Sequence, residues 1–232
     1  MDDVQAMHIA NGIINGPVSA IFIAIAMAGL AVCVWRAKLD LDDRLAPMAG
    51  LVAAFIFAVQ MLNFQVLPGV SGHLLGGTLA VILVGPWVGA LCVSTVLIVQ
   101  ALVFADGGLT ALGLNITNMA LIGTAAAYLL VALLLRVLPR SSRGLGATAL
   151  IASVIGVVVA AMGFVAEFAL GGTADLSITA VAATMAGTHT LIGIGEGLIA
   201  ATTVVTVAKV RPDLVYALRA FRAPIRAKAA VA

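Results

Sequence analysis

The chain has 232 residues, 63% of them hydrophobic and only 9% charged, with a formal net charge of +2. That leaves too little polar surface to coat a water-soluble globule, so the composition excludes a soluble protein and gives no footing for a nucleic-acid partner. It points to an integral membrane protein whose first partner is the lipid bilayer.

The chain opens on an acidic leader, Met1 to Ala6, followed by "MHIANGIINGP" from Met7 to Pro17. An apolar helix needs about 20 residues to cross a ~30 Å hydrocarbon core. Hydropathy and helix breakers divide the remainder of the chain into seven apolar segments, 17–35, 46–67, 74–84, 87–105, 115–135, 145–170 and 178–208, of which the third is short. The first resembles a secretory signal only through Ala26-Met27-Ala28. Acid before it and Arg36 and Lys38 after it are the reverse of a signal peptide, so it is expected to stay attached. Cys33 and Cys92 lie inside apolar segments without ligand spacing and read as packing residues.

Small residues recur every four positions as Ala20, Ala24 and Ala28, and as Ala46, Gly50, Ala54 and Ala58. Such ladders let helix backbones approach closely, either within the protein or against a membrane partner. Beyond the second, "LNFQVLPGVSGHLLGG" places Pro68, Gly69 and Gly72 in a tight, re-entrant-looking loop that carries His73 just before a helix. A single helix from Leu74 to Ala105 would be about 48 Å long at ~1.5 Å per residue, too long for one untilted span. Gly85-Pro86 interrupts it.

Charge decides between one crossing and two. Lysine and arginine concentrate on the cytoplasmic side of membrane proteins. All twelve here fall in three clusters: Arg36, Lys38 and Arg44; Arg136, Arg140 and Arg143; and Lys209 through Lys228. They share one side only if the chain turns at Gly85-Pro86-Trp87. The expected fold is therefore an all-α integral membrane protein with seven transmembrane helices, N-terminus outside and C-terminus cytoplasmic. It divides into an extracytoplasmic segment 1–16 bearing Met7-His8, a membrane domain 17–208 and a basic tail 209–232. In the tail, Leu214, Leu218 and Phe221 at helical spacing suggest a helix on the inner leaflet.

This topology gathers the charge-poor connections around 64–73, 106–114 and 171–177 with the N-terminal segment on the outer side, so His8 and His73 can meet there. If Met7 is the first residue, its amine, the deprotonated amide nitrogen of His8 and the His8 imidazole close adjacent five- and six-membered chelate rings on one ion. His73 can complete the plane. Four planar nitrogens suit Ni(II), Cu(II) or low-spin Co(II), whereas Zn(II) prefers a tetrahedron and Mg(II) oxygen ligands. Orienting groups are needed around such donors; Asn63, Gln60, Ser71 and Asn118 lie near the outer helix ends, and His189 is a further candidate from the last span. Each is equally a candidate for ordinary hydrogen bonding between helices.

His189 and Glu196 stand seven residues apart in "GTHTLIGIGEGL", on one face of a helix. Their spacing is not that of a zinc protease. Glu167 and Asp106 read as supports for structure at the outer side. The chain has no G-x-x-x-x-G-K-[ST] phosphate loop, so active transport would draw its energy from another chain or an ion gradient.

Four stretches, "MHIANGI", "AFIFAVQMLNFQVLPGVSGHLLGGTLAVILVGPWVG", "VLIVQALVFADGGLTALGLNITNMALIG" and "HTLIGIGEGLI", together resemble the CbiM/NikM family over residues 7 to 208. Its members are substrate-capture components of energy-coupling-factor transporters for cobalt and nickel. The resemblance implies capture of Ni(II) or Co(II) at the outer face of a prokaryotic plasma membrane, with Met7, His8 and His73 as ligands and no resident cofactor. It also implies a transmembrane coupling protein, two cytoplasmic ATPases and a small membrane-anchored accessory subunit as partners, so no enzyme activity is expected of this chain. Two departures stand out. Ala10 and Asn11 replace the family's Pro-Asp, and the leader 1–6 would turn the Met7 amine into a peptide nitrogen. On the residues alone, a gradient-driven secondary divalent-metal carrier remains an alternative, as does a membrane-embedded metalloenzyme on His189 and Glu196, for which the span offers few ligands.

Overall fold

The computed structural model describes residues 8–40, 45–61, 64–67, 70–139 and 141–221. Lipid offers backbone groups no hydrogen-bonding partner, so apolar runs of this length must satisfy themselves as helices. α1 spans Gly16–Asp40 and α2 spans Leu45–Gln60. α3 is Gly77–Val84 and α4 Pro86–Val103. The next span, 109–137, is composite: a 3₁₀ turn at Leu109–Ala111, α5 at Leu112–Asn115, a π-helical stretch at Ile116–Ile122 and α6 at Gly123–Val137. α7 covers Ser142–Gly171, α8 Ile178–Val210 and the short α9 Tyr216–Ala220. Five of these segments are long and apolar enough to cross a membrane: 16–39, 86–103, 109–137, 142–171 and 178–210. The protein is a multi-pass helical membrane protein.

The expected second segment, 46–67, ends early as a helix. After Gln60 the chain forms a hairpin, β1 at Phe64–Leu67 and β2 at Val70–Gly72, with Phe64 opposite Gly72 and Leu67 opposite Val70. Proline disfavours the helical conformation in the residue before it, so Pro68 keeps a helix from running through Leu67. The third segment is shorter than the expected 74–84. All eight residues of α3 are buried, which places this helix in the middle of the bundle, bracketed by Gly76 (φ +82°) and Gly85 (φ +86°). At Gly85 the chain reverses, and Gly89 of α4 comes back against Ala80 so closely that a Cβ on Gly89 would lie 3.1 Å from the Ala80 Cβ. A straight helix would separate those two positions by roughly 13 Å. Pro86, with no amide hydrogen to lose, opens α4.

α7 and α8 pack closely along their length. A Cβ on Gly193 would lie 2.8 Å from the Val154 Cα, and one on Gly197 3.0 Å from the Leu150 Cα. Small residues thus bring the two backbones together where lipid supplies no hydrophobic drive. Ser141 caps α7, its Oγ accepting from the Gly144 amide at 3.2 Å.

Both alanine ladders face outward. Ala20, Ala24, Ala28, Ala46, Gly50, Ala54 and Ala58 are all exposed, so neither ladder packs inside this protein. Cys33 and Cys92 are buried free thiols. The start of the tail packs onto the bundle. Leu214, Leu218 and Phe221 pack against the core, the Tyr216 ring lies under Gly85, and the Tyr128 and Phe221 rings are 5.9 Å apart. The apolar face of residues 214–221 is thus taken up by the α3–α4 turn.

The helix order gives the bundle two unlike ends. One carries Arg36 and Lys38 at the close of α1, Arg136 at the close of α6, Arg143 at the start of α7, and Lys209 and Arg211 at the close of α8. There the Arg36 guanidinium lies 5.1 Å from the Trp35 ring centroid and 5.5 Å from that of Trp87, a cation held on aromatic faces. The other end carries the hairpin, residues 73–76, the 104–112 connection and the chain start.

Candidate metal centre

The segment 8–15 is a strap laid over the charge-poor end. The Ile9 amide donates to Asn115 Oδ1 at 3.2 Å, and the Ile9 carbonyl accepts from the Gly108 amide at 2.9 Å. Asn11 Oδ1 accepts from both the backbone amide of Thr110, at 3.0 Å, and its hydroxyl, at 2.7 Å. The side chain at the position of the family's aspartate therefore serves the turn. Beyond it, the Asn15 amide donates to Gly171 O at 2.7 Å and the Thr173 amide to Ile13 O at 3.1 Å, and Ile14 pairs with Gly172 as an isolated bridge. One strap joins the 104–112 connection to the end of α7.

That anchoring buries His8, which is 9% exposed. Its Nδ1 lies 3.3 Å from Asp106 Oδ2, and its Nε2 has no hydrogen-bond partner among the described residues. Gly107 permits the approach in two ways. Its φ of +84° favours glycine, and a Cβ there would lie 2.8 Å from the His8 Cβ.

His73 comes directly after the hairpin and is 6% exposed. Its Nδ1 is 2.9 Å from Leu74 O. A carbonyl only accepts, so the neutral ring carries its proton on Nδ1 and leaves the Nε2 lone pair for a ligand. The His8 and His73 ring centroids are 4.6 Å apart, with the planes tilted by 54°. Histidine nitrogens bind metals at about 2 Å, so one ion can touch both rings. Among the described residues no three His, Cys, Asp or Glu side chains surround one point.

The remaining expected site residues separate. Met7 and Asn63 lie outside the described residues; Ser71 is placed in β2 by its backbone. Gln60, fully buried, donates from Nε2 to Leu75 O at 2.9 Å and so restrains the segment bearing His73. Asn118 instead donates to Glu167 Oε2 at 2.7 Å, within the π-helical stretch. His189 is engaged inside α8, with Nδ1 2.9 Å from Met185 O and 3.2 Å from Thr188 Oγ1. Glu196 accepts backbone hydrogen bonds from Leu75 and Gly76, so it and His189 are engaged with different partners.

Two residues at this end were not expected beside the histidines. Asn115 holds Ile9, one turn before the Asn118 singled out in "LNITN". Asp106, expected only to support a loop, faces the His8 ring. Its signal is the adjoining Gly107-Gly108, a pair that allows close backbone approach.

A family model described as "Cobalt uptake substrate-specific transmembrane region" matches residues 8–214. The chain is 37% identical over 209 residues to a protein of Archaeoglobus fulgidus assigned as a fused nickel transport protein, spanning 90% of this chain and 68% of that one. It is 29% identical over 223 residues to the cobalt transport protein CbiM of Sorangium cellulosum, spanning 93% and 97%. A crystal structure of a transition metal transporter superposes with a TM-score of 0.78 at 28% identity, covering 88% of this chain and 93% of that one.

Proposed function

Because the chain belongs to the CbiM family of cobalt-uptake substrate-specific transmembrane proteins, we propose that it captures Ni(II) or Co(II) at the outer face of a prokaryotic plasma membrane for ATP-driven uptake. As a cobalt/nickel transport component it is not an enzyme, and in this reading ATP is hydrolysed by two cytoplasmic ATPases. A transmembrane coupling protein and a small membrane-anchored subunit complete an energy-coupling-factor transporter. The ladders on α1 and α2 face outward, where membrane partners can reach them.

The observation that carries the reading is the pair of buried imidazoles 4.6 Å apart, at the end of the bundle opposite the basic residues. Lysine and arginine favour the cytoplasmic side, which supports a reading with the histidines and the N-terminus outside and seven crossings, the short α3 reaching the outer side through residues 70–76. Ligands in the reading are the Met7 amine, the His8 amide nitrogen and Nδ1, and His73 Nε2. Closing a six-membered ring through the His8 amide uses Nδ1, the nitrogen that faces Asp106. An arriving cation therefore meets a carboxylate.

The test is equilibrium binding of Ni(II) and Co(II) to the purified protein. One ion per chain is expected, released on acidification because amine, amide and imidazole must all give up protons to the metal. A protein that binds neither ion, or retains it unchanged in acid, refutes the reading. Asp106→Asn should weaken Ni(II) about tenfold, the lower end of the ~10–100-fold cost of losing a group that supports a metal ligand. Calorimetric titration reads this, and unchanged affinity would remove Asp106 from the site.

A further inference from the structure

Residues 73–76 carry His73 between the hairpin and α3 without belonging to either. A segment lacking secondary structure must be held by something else if one of its side chains is to keep a fixed position. Two buried polar side chains grip its backbone from opposite helices. From α2, Gln60 Nε2 donates to the Leu75 carbonyl at 2.9 Å. From α8, Glu196 Oε2 accepts the Leu75 amide at 2.7 Å and the Gly76 amide at 3.2 Å. Both groups of Leu75 are thereby fixed, two residues from His73, while His73 Nδ1 is tied to the adjacent Leu74 carbonyl. Gly76, at φ +82°, turns the chain into α3 against Ile56; a Cβ there would lie 2.8 Å from Ile56 Cγ2.

Glu196 is 2% exposed and sits in a span where a carboxylate is costly. The start of α3 offers it amide donors and the positive end of the helix dipole. Packing alone would be served at this position by leucine, without the cost of burying a polar group.

We propose that Glu196 is a positioning residue for the captured ion. It sets the backbone of 74–76, and through it the direction of His73 Nε2, so that hold on the cargo depends on where α8 stands relative to α3. The inference rests on the metal-capture reading above. By reciprocity, a displacement of α8 that breaks these bonds loosens the ion, and a bound ion resists that displacement.

The experiment compares wild-type, Glu196→Ala and Glu196→Gln full-length proteins for Ni(II) affinity, for the visible absorption of bound Ni(II), and for thermal unfolding without metal. Glu196→Ala should weaken Ni(II) by ~10–100-fold and shift the absorption, since the His73 nitrogen leaves its place in the ligand field. Glu196→Gln should restore most of the affinity, because its Oε1 accepts the same two amides. An alanine variant that unfolds at lower temperature yet binds Ni(II) with wild-type affinity and spectrum overturns the inference, leaving Glu196 a purely structural residue. Equal loss in both variants overturns it as well, since charge and not amide acceptance would then be the cause. If Glu196→Ala fails to fold, Glu196→Leu, which fills the space without accepting the amides, takes its place, with weakened Ni(II) binding expected and unchanged binding overturning the inference. Wild-type protein that binds no ion overturns the capture reading and this inference together, whereas wild-type binding with unaltered variants overturns this inference alone.

Discussion

Alanine at His73 should abolish measurable Ni(II) and Co(II) binding, and alanine at His8 should do the same. Each substitution removes a nitrogen that contacts the ion in the proposed site, so each should cost more than the ~10–100-fold that accompanies loss of a merely orienting group. The loss should not come from unfolding. Each imidazole makes one contact of its own, His8 with Asp106 and His73 with Leu74 O, but the strap also hangs on Ile9, Asn11 and Asn15, and the 73–76 segment on Gln60 and Glu196. Metal-free His8→Ala and His73→Ala proteins should therefore melt near the wild-type temperature. His189→Ala supplies the contrast, because its ring is engaged within α8; it should keep wild-type affinity. Full binding in both the His8 and His73 variants would sink the site, and loss in the His189 variant would return that residue to it.

What the sequence reveals about this arrangement divides by range. Apolar length is a local property, and it marks the long helices to within a few residues: 145–170 against an observed Ser142–Gly171, and 178–208 against Ile178–Val210. The Gly85-Pro86 interruption and the one-sided basic clusters imply the reversal between α3 and α4, because lysine and arginine report on sidedness. Local reading fails at Phe64–Leu67, a short and mostly apolar stretch that periodicity does not assign to helix or strand. It fails again at Leu214, Leu218 and Phe221, whose spacing predicts an apolar face but not that α3 and α4 cover it. The two histidines are legible because residue type and topology jointly bring them to one end. Their supports are not. Gln60 is legible as a polar group near the outer end of its helix, but the same criterion points to Asn118 and passes over Asn115. Nothing in "GIGEGL" indicates that Glu196 reaches Leu75, 121 positions away. Such bonds depend on which helices become neighbours, and that is settled by packing across the whole bundle.

Freeing the Met7 amine should have an effect as large as removing a histidine, and in the opposite direction. The comparison is between the protein carrying residues 1–6 and one made to begin at Met7. With the amine free, the ion in the proposed site closes a five-membered ring through the His8 amide nitrogen and a six-membered ring through the His8 imidazole. The amine anchors the ion beside the amide and assists loss of the amide proton. With the leader attached, that amine becomes a second peptide nitrogen, which must itself surrender a proton before it binds well. Affinity for Ni(II) should then fall by more than the ~10–100-fold cost of losing an orienting group, and its dependence on pH should steepen by the additional proton released. Asp2 and Asp3 in the leader offer oxygen donors in compensation. Oxygen ligation would shift the absorption of bound Ni(II) away from that of a four-nitrogen plane, since the metal's ligand set governs its geometry. Titrating both proteins with Ni(II) at several pH values, with the amino-terminal residue of each verified, reads all three quantities. Equal affinities and identical spectra would eliminate the amine as a ligand and leave a site built on His8, His73 and Asp106, which faces His8.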